Sequence, residues 1–392
     1  MQTLQNYLHR YQWEIRQRER IESNERIPLE KMTAEQLFQE LAEVLDRLWA
    51  QRATWGTDGA ATLPAFVQRN DYPSDVRGTV RDAVTYLAVQ ALADTSFWSP
   101  AESNETTQLS LDRMLEGVGP EKSGLADGSI HPMLRISVAL RDLETWHRAA
   151  GRLDAALEAK LERYRRVRAA VAESDRRIVT DALQKRLGAF KKAEWWAVGM
   201  ADLASFRREE GRLREAHRIA SEGVEEYEDT PGGRRCLNIV KSLEAPTFRL
   251  EAMQVDGPKR RSLLVHRRNL KKLYFRAYSI GTKFLRDRGS RWQILPTDEI
   301  VPALVKRKPD AQWEMEFVEA RDFGEHQSYV IPPIETAGIY VILASLRPKP
   351  EAAPNVTVAT VFQVSEHVLL HERANDGSVT FTVLRGESGE PI

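Results

Sequence analysis

The hydrophobic period of this chain changes once. Up to Ala245-Pro246 the apolar residues recur three and four apart, and beyond that point they alternate with polar ones. A 3.6-residue period lines up one face of a helix, and a period of two lines up one face of a strand. The first part therefore reads as helix and the second as strand. The stretch from Glu194 to Leu250 carries the change. Trp196, Met200, Leu203, Ala204 and Phe206 mark a helix that breaks at Gly211. Leu213, Ala216, Ile219, Ala220, Val224 and Tyr227 mark another that stops at Pro231-Gly232-Gly233. Trp at the start, Gly between the helices, Ala in the second and Pro at its end follow the tetratricopeptide outline loosely.

Upstream, Leu4, Leu8, Tyr11 and Ile15 predict a helix over residues 4–21. Thr33 with Gln36 three residues later is a capping-box start for a helix carrying Leu37, Leu41, Val44, Leu45 and Leu48. A turn at Asn70 to Pro73 leads to a helix starting at Ser74 or Asp75 and holding Val80, Val84, Leu87, Ala88, Ala91 and Leu92. Ala101–Thr107 reads as loop, Leu109–Leu115 as a short helix and Gly117–Ser129 as a turn-rich connection. From Pro132 two helices flank Gly151, and a further one spans Ile178–Phe190. Gly-Arg-Leu stands at Gly151 and again at Gly211, which predicts stacked antiparallel helices joined by short turns, an irregular α-solenoid.

Past Pro246, alternation predicts strands at Thr247–Val255, Ser262–Arg268, Lys271–Ile280, Trp313–Glu319, Gln327–Ile331, Gly338–Leu346 and Val356–Val364. Short strands punctuated by Pro and Gly signal an antiparallel β-sandwich. Segment 283–311 reads as an elaborated loop with a helical turn at Asp298–Lys306. Glu366–His371 and Ser378–Leu384 make two more strands around Asp376-Gly377, a hairpin turn pair. The expected fold is thus α+β and multidomain: an all-α, TPR-like domain over 1–246, a sandwich over 247–365, and the opening strands of a further sandwich over 366–392. A hairpin is marginal alone, so the chain is expected to be the N-terminal piece of a longer protein.

Composition narrows the function classes. Lys+Arg and Asp+Glu balance at 57 each, which argues against nucleic acid or an anionic membrane as the main partner. No apolar run approaches the ~20 residues needed to span a bilayer, and the N-terminus has no signal-peptide core. The single cysteine, Cys236, rules out an internal disulfide framework and a cysteine-based metal cage. It reads as a packing residue, since no His and Asp arrangement points to it. His367 and His371 lie four apart on a strand, a span of ~13 Å that is too long for one ion. The run Arg165–Arg168 reads as the solvated side of a helix, and Lys259–Arg261, His266–Arg268 and Lys271-Lys272 as exposed strand faces. Trp98, Trp146, Trp195 and Trp196 fall on helical registers and read as packing rather than as a sugar platform. Phosphate-loop, dinucleotide and nucleophile-elbow motifs do not occur. No catalytic residue, cofactor or metal is expected, and the chain is read as a non-enzyme.

Four stretches, in order, carry a family resemblance. Tyr72–Leu87, YPSDVRGTVRDAVTYL, resembles a P-x-x-x-R-x-T-x-R-D-A box in the helical leader of the large bacterial α2-macroglobulin-like proteins. The stretch EGVEEYEDTPGGRRCLNIVKSLEAPTFRLEAMQV is similar to that family's helix-to-sandwich junction. Ser262–Tyr278, SLLVHRRNLKKLYFRAY, resembles its strand pair centred on Arg268-Asn269. The end, FQVSEHVLL followed by FTVLRGESGEPI, resembles the start of its next macroglobulin domain, with Ser388 where Thr is usual. The resemblance covers most of residues 70–392. It implies the non-catalytic N-terminal scaffold of a broad-spectrum endopeptidase inhibitor, a protease trap that is exported to the periplasm or cell envelope, with target proteases as protein partners. The Cys-x-x-Gln thioester of many members has no counterpart here, because Leu237, Asn238 and Ile239 follow Cys236. Cys236, Ile239, Leu243 and Phe248 are expected at a structural junction, where Phe248→Asp should lower the melting temperature. The second reading is a protein-binding helical module with the sandwich as a spacer. Further sandwiches, a bait-like loop and a thioester box downstream would favour the trap, and a transmembrane segment or a kinase domain would favour the module.

Overall fold

The computed structural model describes residues 7, 10–15, 17–19, 21, 27–62, 71–95, 98, 102, 105, 109–119, 127, 130–253, 255–281, 300–351 and 354–392. The protein has an α+β, multidomain composition. It divides into two compact units, Met1–Val240 and Lys241–Ile392.

The first unit is helical: α1 (Gln12–Ile15), α2 (Ala34–Ala50), α3 (Val80–Leu92), α4 (Leu111–Glu116), α5 (Pro132–Ala149), α6 (Leu153–Ala170), α7 (Glu173–Leu187), α8 (Trp196–Glu209), α9 (Leu213–Tyr227) and α10 (Pro231–Glu244), the last crossing into the second unit. Local chemistry sets the helix ends. At α2 the Gln36 N–H donates to Thr33 Oγ1 and the Thr33 N–H donates to Gln36 Oε1, the expected capping box. Proline opens α5 and α10, where its missing N–H costs nothing. Gly151 and Gly211 have φ of 74° and 75°, so the two Gly-Arg-Leu turns need a residue free to adopt the left-handed region. They fold α5 onto α6 and α8 onto α9.

Two helix starts differ from the sequence reading. Helix α3 begins at Val80 rather than near Ser74, because Thr79 and Asp82 form a reciprocal box and residues 74–77 form a turn. Helix α7 begins at Glu173, before the first apolar residue of its pattern, with Glu173 and Asp175 in the first turn, where acids favour the helix dipole. The expected 4–21 helix is shorter than its pattern, with its span at Gln12–Ile15 and residues 17–19 and 21 non-helical. Residues 4–6, 8, 9, 16 and 20, Asn70, and much of Ala101–Thr107 and Gly117–Ser129 lie outside the described residues.

The second unit is a β-sandwich. Its strands are β1 (Thr247–Ala252), β2 (Leu263–Arg268), β3 (Lys272–Ser279), β4 (Ala311–Glu316), β5 (His326–Val330), β6 (Gly338–Ser345) and β7 (Thr357–Val364). They form two antiparallel sheets, β1-β2-β5 and β4-β3-β6-β7. Phe248, Leu263, Val265 and Val330 from the first sheet meet Leu273, Phe275, Ile342, Ala344 and Phe362 from the second. The other face of β3 and β6 is also covered, since Tyr278, Val341 and Leu343 pack with Leu304 of α11 (Ile300–Val305). Burial on both faces explains why β6 reads as a nearly continuous apolar run. Residues 283–299 of the expected loop are not among those described. Strands β8 (His367–Arg373) and β9 (Val379–Arg385) pair as a separate hairpin, turned at Gly377 with φ of 86°. Leu369, Val379, Phe381 and Val383 of this hairpin are exposed.

Candidate functional site

The strongest concentration of chemical groups is buried in the helical unit, beneath Tyr72–Leu87. Helix α6 packs against α5, α7, α4 and α8, so it has no broad solvent face. Its sequence still carries charges all round. Glu158 and Arg163 are fully buried, and Lys160, Glu162 and Arg168 nearly so. Burying a charge costs several kcal/mol unless it is paired. Each of these charges is paired.

Glu158 is the hub. Its Oε1 accepts from Arg77 Nη2 at 2.5 Å and Arg165 Nη1 at 2.9 Å, and its Oε2 accepts from Trp195 Nε1 at 2.6 Å. The Arg77 guanidinium lies between two rings, 4.0 Å from the centroid of Tyr72 and 3.7 Å from that of Tyr86. Arg165 Nε continues to Asp202 Oδ2 at 2.7 Å, and Asp202 Oδ1 accepts from Arg235 at 2.7 Å. Burial alone would raise the Glu158 carboxyl, but Arg165 and Arg77 overcome it and hold it below the ordinary carboxylate value. Arg165 is held protonated against its own burial by Asp202 and Glu158. The same balance holds around Glu144 on α5. Glu144, with Arg163 at 2.7 Å, Lys160 at 2.9 Å and Arg141 at 3.2 Å, would be raised by burial and is instead lowered by Arg163 and Lys160.

A second strand of the network contains the one arrangement that invites a catalytic reading. Thr79, Asp82 and His147 lie together and are buried or half-buried. Asp82 Oδ2 accepts from the Thr79 hydroxyl at 2.8 Å, Asp82 Oδ1 meets His147 Nε2 at 2.7 Å, and His147 Nδ1 accepts from Arg152 Nε at 2.9 Å. The ring N–H therefore sits on Nε2 and points at the carboxylate. A nucleophile must be in reach of the free imidazole nitrogen. Here that nitrogen faces a guanidinium, and the hydroxyl is bonded to the acid. The geometry caps α3 and ties it to α5. Arg81 adds a further tie, with Nη2 2.6 Å from Asp142 and its guanidinium 4.5 Å from the Trp146 ring centroid.

The resembling box thus acquires a physical meaning residue by residue. Arg77, Arg81 and Asp82 each hold α3 or its leading turn to α5 or α6 through a buried or half-buried partner, and Thr79 caps α3 through Asp82. Sequence reading missed Glu158, Glu144, Asp202 and His147 because their partners lie far away in the chain. The available signal was a long helix, Leu153–Ala170, whose charges leave no clean polar face. The Arg165–Arg168 run is accordingly not a solvated side, since α6 is enclosed and its arginines pair internally. Two basic residues expected on exposed strand faces are also buried. Arg267 donates to Ser328 Oγ and the Val318 carbonyl, both at 3.1 Å, and lies over Phe317, while His266 sits between Glu251 and Glu325.

The four junction residues are all buried: Cys236 at 0%, Ile239 at 8%, Leu243 at 1% and Phe248 at 9% exposure. Cys236 donates to the Ala197 carbonyl at 3.4 Å, and burial pushes its thiol up to about 12, so it is not a poised nucleophile. Phe248 belongs to the sandwich core. In the second unit the last turn of α10 is held by the β2–β3 turn. Asn269, with φ of 53°, donates from Nδ2 to the Leu243 carbonyl at 2.5 Å and the Ala245 carbonyl at 3.3 Å, and Arg268 donates to the Ser242 carbonyl at 3.2 Å. These are carbonyls that a helix end leaves open. His367 and His371 lie on β8, and among the described residues no group of three His, Cys, Asp or Glu is placed to hold a metal ion. Trp195 and Trp196 are buried, and Trp98 donates to the Leu92 carbonyl at 2.8 Å, in keeping with packing roles. Among the described residues no helix is long and apolar enough to cross a membrane.

No protein-family model matches the chain, and no curated protein matches it. Among solved structures, the chain is similar to a crystal structure of native alpha-2-macroglobulin from Escherichia coli spanning domains MG0-NIE-MG1, with 15% identity and a TM-score of 0.28, over 38% of this chain and 47% of that one. A second, spanning NIE-MG1 of the same protein, has 13% identity and a TM-score of 0.25, over 38% of this chain and 74% of that one. The chain spans about half the length of the first of these structures.

Proposed function

We propose that this chain is the non-catalytic N-terminal scaffold of a bacterial alpha-2-macroglobulin-like protease trap, acting at the cell envelope on target proteases. One observation carries the reading. Two of the four resembling stretches fall where the chain is clamped: Tyr72–Leu87 on the Glu158 and Asp82 networks, and Arg268-Asn269 on the end of α10. Motifs spent on holding elements together suit a scaffold whose chemistry resides elsewhere. The absence of enzymatic activity is part of the proposal, and its support is the occupied state of Thr79, Asp82, His147 and Cys236.

The test is an inhibition assay on the complete gene product with trypsin, chymotrypsin and elastase. A trap blocks digestion of a large protein substrate and spares hydrolysis of a small peptide, because the captured protease keeps an open active site. Equal digestion of both substrates, with and without the protein, overturns the proposal and leaves the helical binding module as the reading to pursue.

A further inference from the structure

The basic loop Asp256–Arg261 exposes Lys259 and Arg260, buries Asp256 and Gly257, and adds no residue to the sandwich core. It does have a partner, the base of the β8–β9 hairpin. The loop is first stitched to the end of β7. The Asp256 N–H donates to the Gln363 carbonyl and the Ser365 N–H to the Asp256 carbonyl, both at 2.9 Å. The Asp256 side chain accepts from the Ser262 N–H at 2.9 Å and closes the loop.

On that footing two backbones touch. A Cβ on Gly257 would lie 1.6 Å from the Gly386 carbonyl oxygen, and a Cβ on Gly386 would lie 2.2 Å from the Ser365 oxygen. Neither neighbour is a side chain that can swing away, so both positions require glycine. The Gly386 N–H also donates to the Glu366 carbonyl at 2.6 Å, which joins the two ends of the hairpin. Around this contact Lys259 pairs with Glu387, and Arg260 Nη2 donates to the Ser388 carbonyl at 2.5 Å.

We infer that the Asp256–Arg261 loop is a seat that locks the β8–β9 hairpin to the sandwich, so that everything from Glu366 to Glu390 is presented in a fixed direction. The two parts of the lock differ in kind. The glycine contact is steric and insensitive to salt. The Lys259–Glu387 pair is exposed on both sides and contributes little, less so in salt. The inference does not depend on the protease-trap reading.

Hydrogen exchange on the whole chain tests it. Gly257→Ala is expected to speed exchange of the Leu369–Leu384 amides at least about tenfold while β3 and β6 amides keep their wild-type rates. Unchanged hairpin exchange overturns the seat, and so does equal acceleration in β3 and β6, which would mean a general loss of sandwich stability. The charge swap supplies an arm that does not challenge folding. Lys259→Glu alone is expected to speed hairpin exchange about twofold at low salt, and Glu387→Lys added to it to restore the original rate. Failure of the double variant to restore the rate removes the latch from the inference.

Discussion

The two units of this molecule solve burial in opposite ways. The sandwich core is apolar, built around Phe248, Phe275, Ile342 and Phe362, and the buried acidic and basic residues described in that unit, Asp256, His266 and Arg267, lie outside it. The helical unit buries carboxylates and guanidiniums in its centre and satisfies them mutually. An apolar core is tolerant, because neighbouring side chains can repack. A buried ion network is not, because removing one member leaves the others charged and unpaired. The comparison predicts where each unit is fragile.

The largest effect is expected at the hub. Glu158→Ala takes the acceptor from buried Trp195 Nε1, leaves Arg77 with only Glu162 at 3.4 Å and Arg165 with Asp202 and Glu162, and should cost the helical unit about 3 kcal/mol. Urea unfolding followed by the helical circular-dichroism signal checks this. A loss under about 1 kcal/mol would mean that water replaces the carboxylate and that the network is ordinary surface electrostatics.

Acid should separate the units next. Glu158 and Glu144 are lowered in the fold from an ordinary value of 4.5. Their contribution is complete above that value and is lost as pH falls through the lower folded values. Asp256 in the second unit is shifted the other way, raised from 3.8 by burial against the Ser262 N–H that lowers it. Its term favours the fold at low pH and is lost as pH rises through the raised value. Between pH 5 and pH 3 the helical unit should therefore lose stability faster than the sandwich. Hydrogen exchange resolved by element measures both together, and parallel losses would remove the contrast.

A smaller effect is expected from the sandwich's own buried arginine. Arg267 has no carboxylate partner among its hydrogen bonds, only the Ser328 hydroxyl and the Val318 carbonyl. Arg267→Met keeps the apolar stem over Phe317 and strands no charge, so it should cost about 1 kcal/mol. A loss comparable to that of Glu158→Ala would show that the sandwich depends on its buried charge as the helices do.

The same contrast explains what was legible in the sequence. Every expected strand appears, with ends shifted by a few residues, because alternation is local and, in β1 to β7, is set by an apolar core. The Thr33 box and the two Gly-Arg-Leu turns were readable for the same reason, since their partners lie within a few residues. The charge network was not. Arg77 and Glu158 are 81 residues apart, and Arg165 and Asp202 37 apart, so no window of sequence contains the pair. The start of α3 was misread because Ser74 and Thr79 both qualify as caps, and only Thr79 has the Asp82 carboxylate returning to its N–H.

Cys236 turns the comparison into a measurement. It is the only cysteine, so a thiol reagent reads one position, and that position lies in the helical unit. In the native fold two barriers stop labelling. The sulfur is fully buried, packed so closely that a Cβ on Gly223 would meet it at 2.6 Å, and burial pushes the thiol up to about 12. At pH 8 the thiolate fraction is then only on the order of one in ten thousand. Native protein should show no labelling over minutes at pH 8, and the rate should rise sharply when urea opens the helical unit. With Glu158→Ala the rise should come at lower urea, and with Arg267→Met it should stay where it is in the unaltered protein. Rapid labelling without denaturant would mean that the α8–α10 packing opens readily, and the fragility assigned to the Glu158 hub would then have to be sought around Cys236 instead.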